Sequence, residues 1–219
     1  MKGFFFPIIM AAALALSSCS TRIVESGNVI TREYIISPEF NTIEVSSGLH
    51  LVVDQSFAAG KIEITASDNI HQYLDIYASD GILNVGMASG FNYSDINVTV
   101  KVSALSIQAL YASGGSSIIG EGNLVSPRLY IALSGGSTLS LRGSSPSVRS
   151  SLSGGSRADM SDFLALAVDA ELSGGSVMSI SILDQLKLDV SGGSVFYYKG
   201  TPANKSVNVS GGSECIQLK

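Results

Sequence analysis

Six copies of the tetrapeptide Ser-Gly-Gly-Ser begin at Ser113, Ser134, Ser153, Ser173, Ser191 and Ser210, at steps of 21, 19, 20, 18 and 19 residues. A near-constant period of about 20 is the mark of stacked coils, because each repeat must bury its apolar face on its neighbours. Aligned on the tetrapeptide, the preceding residue is Ala112, Leu133, Leu152, Leu172, Val190 and Val209. Two residues earlier stand Leu110, Ile131, Ser150, Ala170, Leu188 and Val207. The second residue after it is Ile118, Leu139, Ala158, Met178, Phe196 and Cys215. These columns are nearly all apolar and alternate with polar positions, as inward-facing strand residues do.

The parity of the columns separates two folds. Gly-Gly between strands is also a hairpin signal. In a two-residue hairpin, Leu133 would share a side of the sheet with Thr138, and Leu139 would point away. The six-fold pattern has the opposite parity. A three-residue bulged hairpin restores it and stays open as the rival. The preferred reading is all-β: a right-handed parallel β-helix with about 20 residues per coil, three short strands per coil, and Ser-Gly-Gly-Ser at one corner. Successive coils would stack about 4.8 Å apart. The corner glycines (Gly114, Gly115, Gly135, Gly136, Gly154, Gly155, Gly174, Gly175, Gly192, Gly193, Gly211 and Gly212) accept positive φ and let stacked backbones approach. The flanking serines can pass hydroxyl hydrogen bonds along the stack. A phosphate cradle needs a helix N-terminus after the glycines, and strands follow here instead.

The chain has 219 residues, enough for one sizeable domain. Only 14% are charged, against roughly 25% in ordinary globular chains, so Ser and Thr carry the polar surface. The net charge is -5, and removing residues 1–18, with one Lys and no acid, leaves -6. Nothing basic is clustered, which argues against nucleic acid as a partner. The N-terminus reads as an address. Lys2 precedes an apolar stretch from Phe4 to Leu16, then Leu16-Ser17-Ser18-Cys19. A basic start, a short apolar core and small residues before the cut describe a signal peptide over 1–18. Small residues directly before a Cys resemble the bacterial lipobox, which implies lipidation of Cys19 and a membrane anchor of two or three acyl chains. Residues 19–28 then read as the lipidated Cys and its tether, and 29–219 as a single β-helix domain. Cys215 is left without a partner and reads as a small buried hydrophobe.

From Val29 onward the text is strand-like, with alternation at Ile43, Val45, Leu49, Leu51 and Val53, at Ile62 and Ile64, at Leu83 and Val85, and at Ile96, Val98 and Val100. Ser47-Gly48 reads as a degenerate copy of the later corner. Asp68 to Ala78 is the one stretch suited to a helical turn.

Repeated strand-Ser-Gly-Gly-Ser-strand units behind a lipobox resemble the head GIN domain family, whose members carry the working name of auto-transporter adhesins and are common in Bacteroidetes. The opening Phe40-Asn41-Thr42-Ile43-Glu44-Val45 with Leu49-His50-Leu51-Val52-Val53 is similar to its first strands. The ending Val195-Phe196-Tyr197-Tyr198-Lys199-Gly200-Thr201-Pro202 also resembles it. The resemblance covers about Val29 to Lys219. It implies a right-handed parallel β-helix in an envelope protein and brings no catalytic residues.

Chemistry is sparse. His50 and His71 lie in different segments and read as surface residues, and neither metal-ligand spacing nor a nucleophile elbow is present. The chain implies no cofactor, no metal and no enzyme. One set of outward columns stands out. Arg149, Asp169 and Lys187 occupy equivalent positions in consecutive coils and predict an alternating-charge ladder. Glu171 and Asp189 would be like charges on adjacent coils. With Tyr130, able to stack on a sugar, Asp169, Glu171 and Asp189 form the candidate surface site; Tyr197 is a further stacking candidate, and Tyr198 falls in an inward column. The leading function is a non-catalytic envelope module that binds protein or glycan through its flat faces. The alternatives are a polysaccharide-active β-helix enzyme and a self-assembling structural component. The segment Val207 to Leu218 should be covered by a loop or used in homo-oligomerisation, since an open strand edge invites pairing. The address implies export and anchoring to the outer membrane, on its periplasmic face or at the cell surface. Ser20-Thr21-Arg22-Ile23-Val24 lacks the acidic run typical of surface export.

Overall fold

The computed structural model describes residues 21–37, 39–57, 60–103 and 107–219; residues 1–18, expected as a signal peptide, and Cys19 lie outside them. The first half comprises β1 (Thr21–Ile23), β2 (Val29–Ile35), β3 (Thr42–Val45), β4 (His50–Asp54), β5 (Lys61–Ser67), β6 (Leu74–Ser79), β7 (Ile82–Met87), β8 (Phe91–Tyr93) and β9 (Thr99–Val102). The second half comprises β10 (Ala109–Ala112), β11 (Ser117–Glu121), β12 (Leu124–Val125), β13 (Leu129–Leu133), β14 (Thr138–Ser140), β15 (Gly143–Leu152), β16 (Arg157–Leu172), β17 (Val177–Val190), β18 (Val195–Lys199), β19 (Asn204–Val209) and β20 (Glu214–Gln217). One 3-10 turn, His71–Tyr73, falls inside the stretch expected to hold a helical turn.

From residue 109 onward the chain is the parallel solenoid that the tetrapeptides predict. The strands on either side of each Ser-Gly-Gly-Ser pair with the equivalent strands of neighbouring coils and not with each other, so the corner is no hairpin. The pairing of β16 with β17 breaks into three registered stretches separated by irregularities, which are the bends of a three-sided coil. One face precedes the corner: β10, β13, the ends of β15, β16 and β17, and β19. A second follows the corner: β11, β14, the starts of β16 and β17, then β18 and β20.

The three aligned columns point inward. Leu110, Ile131, Ala170 and Leu188 are fully buried, as are Ile118, Met178 and Phe196. Each such Leu, Ile, Met or Phe side chain contributes roughly 1.5–3 kcal/mol by leaving water. Ser150, the polar exception, is buried too and donates to Met178 Sδ at 3.3 Å.

Each corner is a tight turn with positive φ at both glycines, 61–65° at the first and 73–78° at the second. The fourth serine is buried at five of the six corners, and at four of these its hydroxyl donates to the carbonyl of the first, as Ser137 does to Ser134 at 2.7 Å and Ser176 to Ser173 at 2.8 Å. The hydroxyl also accepts from the adjacent coil, as Ser194 Oγ does from the Ser176 amide at 3.1 Å. Glycine amides add a second ladder, such as Gly155 N–H to Gly174 O at 2.9 Å. The corner is thus closed by hydrogen bonds that need neither charge nor bulk.

The first half departs from a simple stack. Ser47-Gly48 is the early corner: β3 and β4 pair in parallel with β10 and β11, and both residues have positive φ. Yet β3–β4 is not the outermost coil. The chain leaves it, and β7 and β9 stack on its other side, parallel to β3 and β4. Ser47 takes the place of the first glycine here, where residues 88–98 link β7 to β9 without a matching corner. Antiparallel strands then close this end, β6 on β7, β5 on β9 and β2 on β5. Asp80-Gly81, both at positive φ, makes the two-residue β6–β7 hairpin, a signal readable in the sequence.

Residues 21–28, expected as part of a tether, are laid against the domain. β1 pairs in parallel with β8, Ile23 is buried, and Asp68 accepts hydrogen bonds from Ser26 and Asn28. His71, expected at the surface, is buried beneath β2 with Tyr34 Oη 3.5 Å from its Nδ1. At the other end β19 and β20 pair on one side only, and Val207 and Val209 are 39% and 45% exposed. No described residue covers them. Lys205 occupies the column that holds buried Leu186 one coil earlier, so a charged residue takes an inward-column position at the end of the core.

Candidate functional site

The face that precedes the corner is built from nine strands in continuous register, from β6 at the capped end to β19 at the open end. Alternation puts every second residue outward, so outward residues line up in rows along the solenoid axis. The central row runs Tyr77, Asn84, Glu44, Tyr111, Ala132, Ser151, Glu171, Asp189, Asn208. A second row holds Ala109, Tyr130, Arg149, Asp169, Lys187 and Ser206. A third is nearly all small: Gly86, Ser46, then the first serines of the tetrapeptides.

The expected ladder forms in register. Arg149 Nη2 lies 2.9 Å from Asp169 Oδ2, and Lys187 Nζ lies 3.3 Å from Asp169 Oδ1. Burial pushes the Asp169 carboxyl up, but hydrogen bonds and charge from Arg149 and Lys187 outweigh it and hold Asp169 below the usual carboxylate range. Asp169 is therefore a satisfied ion-pair partner. Exposed pairs of this kind contribute about 0–1 kcal/mol each. Glu171 and Asp189 are direct neighbours, as expected, and Asp189 Oδ1 accepts from Asn208 Nδ2 at 2.8 Å. Tyr130 neighbours Arg149, so all four expected site residues share this face. Tyr197 stands on the face that follows the corner, and Tyr198 is buried against Phe196, ring centroids 6.3 Å apart. Cys215 packs partly buried against the core in Phe196's column, and burial pushes its thiol up.

The Tyr77–Tyr111 end of the face was not legible in the sequence. A groove of about 410 Å³ runs from Asp75 and Tyr77 on β6, past Asn84, Glu44 and Tyr111, to Ser151 and Ser153. Tyr111 and Tyr130 stand side by side, ring centroids 5.5 Å apart and planes tilted by 42°. Burial, with Tyr130 and Glu44 alongside, pushes the Tyr111 phenol up, so it stays a hydroxyl donor at neutral pH. A second depression, which meets the first at Ser151, lies over Glu171, Asp189 and Asn208. Tyr111 stood one column from Ala112 in the tetrapeptide alignment and was readable there. Tyr77, Asn84 and Glu44 were not, because the first coil lacks a full tetrapeptide and the coil outside it comes later in the chain. Among the described residues no group of three or more His, Cys, Asp or Glu is placed to hold a metal ion.

Fold and face together define a capped parallel β-solenoid with two adjoining depressions on one face, one aromatic and one acidic. The chain belongs to the family described as "Putative auto-transporter adhesin, head GIN domain", whose model matches residues 39–202. Its fold is shared by a "putative adhesin" of Bacteroides fragilis, with TM-score 0.73 and 18% identity, covering 91% of this chain and 100% of that one. A "putative adhesin" of Parabacteroides merdae gives TM-score 0.62 at 19% identity over the same shares. A "putative lipid binding protein" of Parabacteroides distasonis gives 0.55 at 18%, again over 91% and 100%. No curated protein matches.

Proposed function

We propose that this chain is a non-catalytic binding module of the cell envelope, anchored by lipid at Cys19 to the outer membrane, that engages its ligand along the face preceding the corner. The observation that carries this reading is the pair of depressions that meet at Ser151 and together cross that face from Tyr77 to Asn208. Its three rows contain no His and no Cys. Its half-buried Asp169 is neutralised by Arg149 and Lys187 and has a lowered pKa, the opposite of a general acid. Family membership supports the adhesin-type role, and the Leu16–Cys19 motif supports the anchor.

The test is capture of isolated envelope fragments by the immobilised protein. Ala132→Arg places a bulky cation in the middle of the groove, while Thr138→Arg places the same side chain on the face that follows the corner. Capture lost in Ala132→Arg and kept in Thr138→Arg supports the reading. Equal capture by both removes this face from the function. Palmitate labelling in cells, abolished by Cys19→Ala, checks the anchor.

A further inference from the structure

We propose that the Tyr77–Tyr111 end of the groove is a subsite for a linear, uncharged polysaccharide whose chain runs along the solenoid axis. This rests on the reading of that face as the binding surface and adds the chemical class of the ligand.

The subsite has two aromatic platforms. Tyr77 is 49% exposed on β6, and Tyr111 is backed by Tyr130. By register Tyr77 and Tyr111 are three strands apart, about 14 Å at roughly 4.8 Å per strand. A tyrosine ring offers an apolar face with a polar edge, which suits the C–H face of a sugar ringed by hydroxyls. Between the platforms stand Asn84 and Glu44, with Asp75 at the rim. A carboxylate accepting from a sugar hydroxyl forms a charge-assisted bond, stronger than a neutral one. Beside them the floor is made of Gly86, Ser46 and Ser113, small enough to let a polymer lie in the groove. The strand spacing is close to the length of one sugar residue in an extended chain, so successive sugars meet equivalent positions.

Charge selects among polymers. The groove is lined by Glu44 and Asp75 and by no Lys or Arg, and its extension adds Glu171 and Asp189. An anionic polysaccharide or a nucleic acid would meet like charge at both ends of the path, at Glu44 and Asp75 and again at Glu171 and Asp189, a repulsive element of specificity. An extended peptide binds sheets by pairing with free edges; under this groove β7, β3, β10 and β13 already have partners on both sides, and only β6, at its end, has an unpaired edge.

Affinity electrophoresis of the purified protein through gels containing mannan, xylan or mixed-linkage β-glucan tests this, with polygalacturonate and chondroitin sulfate as acidic counterparts. The expected result is retardation by at least one neutral polysaccharide and by neither acidic one. Tyr77→Ala and Tyr111→Ala should each weaken it about fivefold or more. Tyr77→Phe should keep most of the binding, and Tyr197→Ala, on the other face, all of it. Tyr77 is exposed, so its variants stay informative if Tyr111→Ala unfolds. Retardation unchanged in Tyr77→Ala, or confined to acidic polymers, overturns the subsite. No retardation by any neutral polymer, with envelope capture still lost in Ala132→Arg, overturns the ligand class alone. Capture insensitive to Ala132→Arg overturns the binding face itself.

Discussion

Gly192 sits so closely on Gly174 that a Cβ built on it would lie 2.9 Å from the Gly174 amide nitrogen. The second glycine of the same corner, Gly193, has open space where its Cβ would be. Both have positive φ. The two glycines therefore serve different ends: close stacking at the first, backbone conformation alone at the second.

Gly193→Ala should cost about 1–2 kcal/mol, the penalty of a left-handed conformation for an L-residue. Gly192→Ala adds a backbone clash and should cost clearly more, and Gly193→Asn should cost least. Urea midpoints of the three variants check the order. Equal losses at Gly192 and Gly193 would mean that stacking distance does not constrain the corner.

Leu188 and Val207 occupy one inward column in successive coils, the first buried and the second 39% exposed at the open end. Leu188→Ala should cost about 2–5 kcal/mol, while Val207→Ala should stay below about 1 kcal/mol. Thermal and urea unfolding measure both. Comparable costs would imply that something covers the last coil in solution.

Lys205 stands in an inward column on the edge strand at that same end, and an inward charge on an edge strand opposes strand addition. A second copy docking there must desolvate it. Lys205→Leu should therefore shift the protein toward end-to-end association at a given concentration. Sedimentation velocity of both forms decides, and an unchanged distribution would remove Lys205 as the guard of the edge.

Asp54 is held at a pKa of about 2, against 3.8 for a free side chain, by the hydroxyl and amide of Ser56 and by Lys101, 3.1 Å away. The folded state thus favours the carboxylate. Its contribution is complete above the unfolded pKa and is lost as pH falls from about 4 toward 2. Asp54→Asn should flatten the stability profile over that window and leave its slope at neutral pH unchanged. Denaturation midpoints at stepped pH test this, and an unaltered acid slope would count against it.

How much was legible depended on whether a contact repeats. The corner, the inward columns and the Arg149–Asp169–Lys187 ladder recur at one period, so aligning the chain on itself placed them in space. Glu171 beside Asp189 followed from the same alignment. The groove end did not follow, because Tyr77, Asn84 and Glu44 come together through β7 stacking outside β3, against chain order. Asp80-Gly81 announced a local hairpin but not which strand its far side would join.

The sequence by itself determined the coil, its corner and its direction of burial. Those depend on local φ preferences and on an alternation that every repeat restates. Only the tertiary structure decided the order of the first coils, the antiparallel cap over β9 and β7, and the exposed end at β19. Those depend on which open strand edge each departing segment meets, a competition between distant backbones that no single stretch of residues encodes.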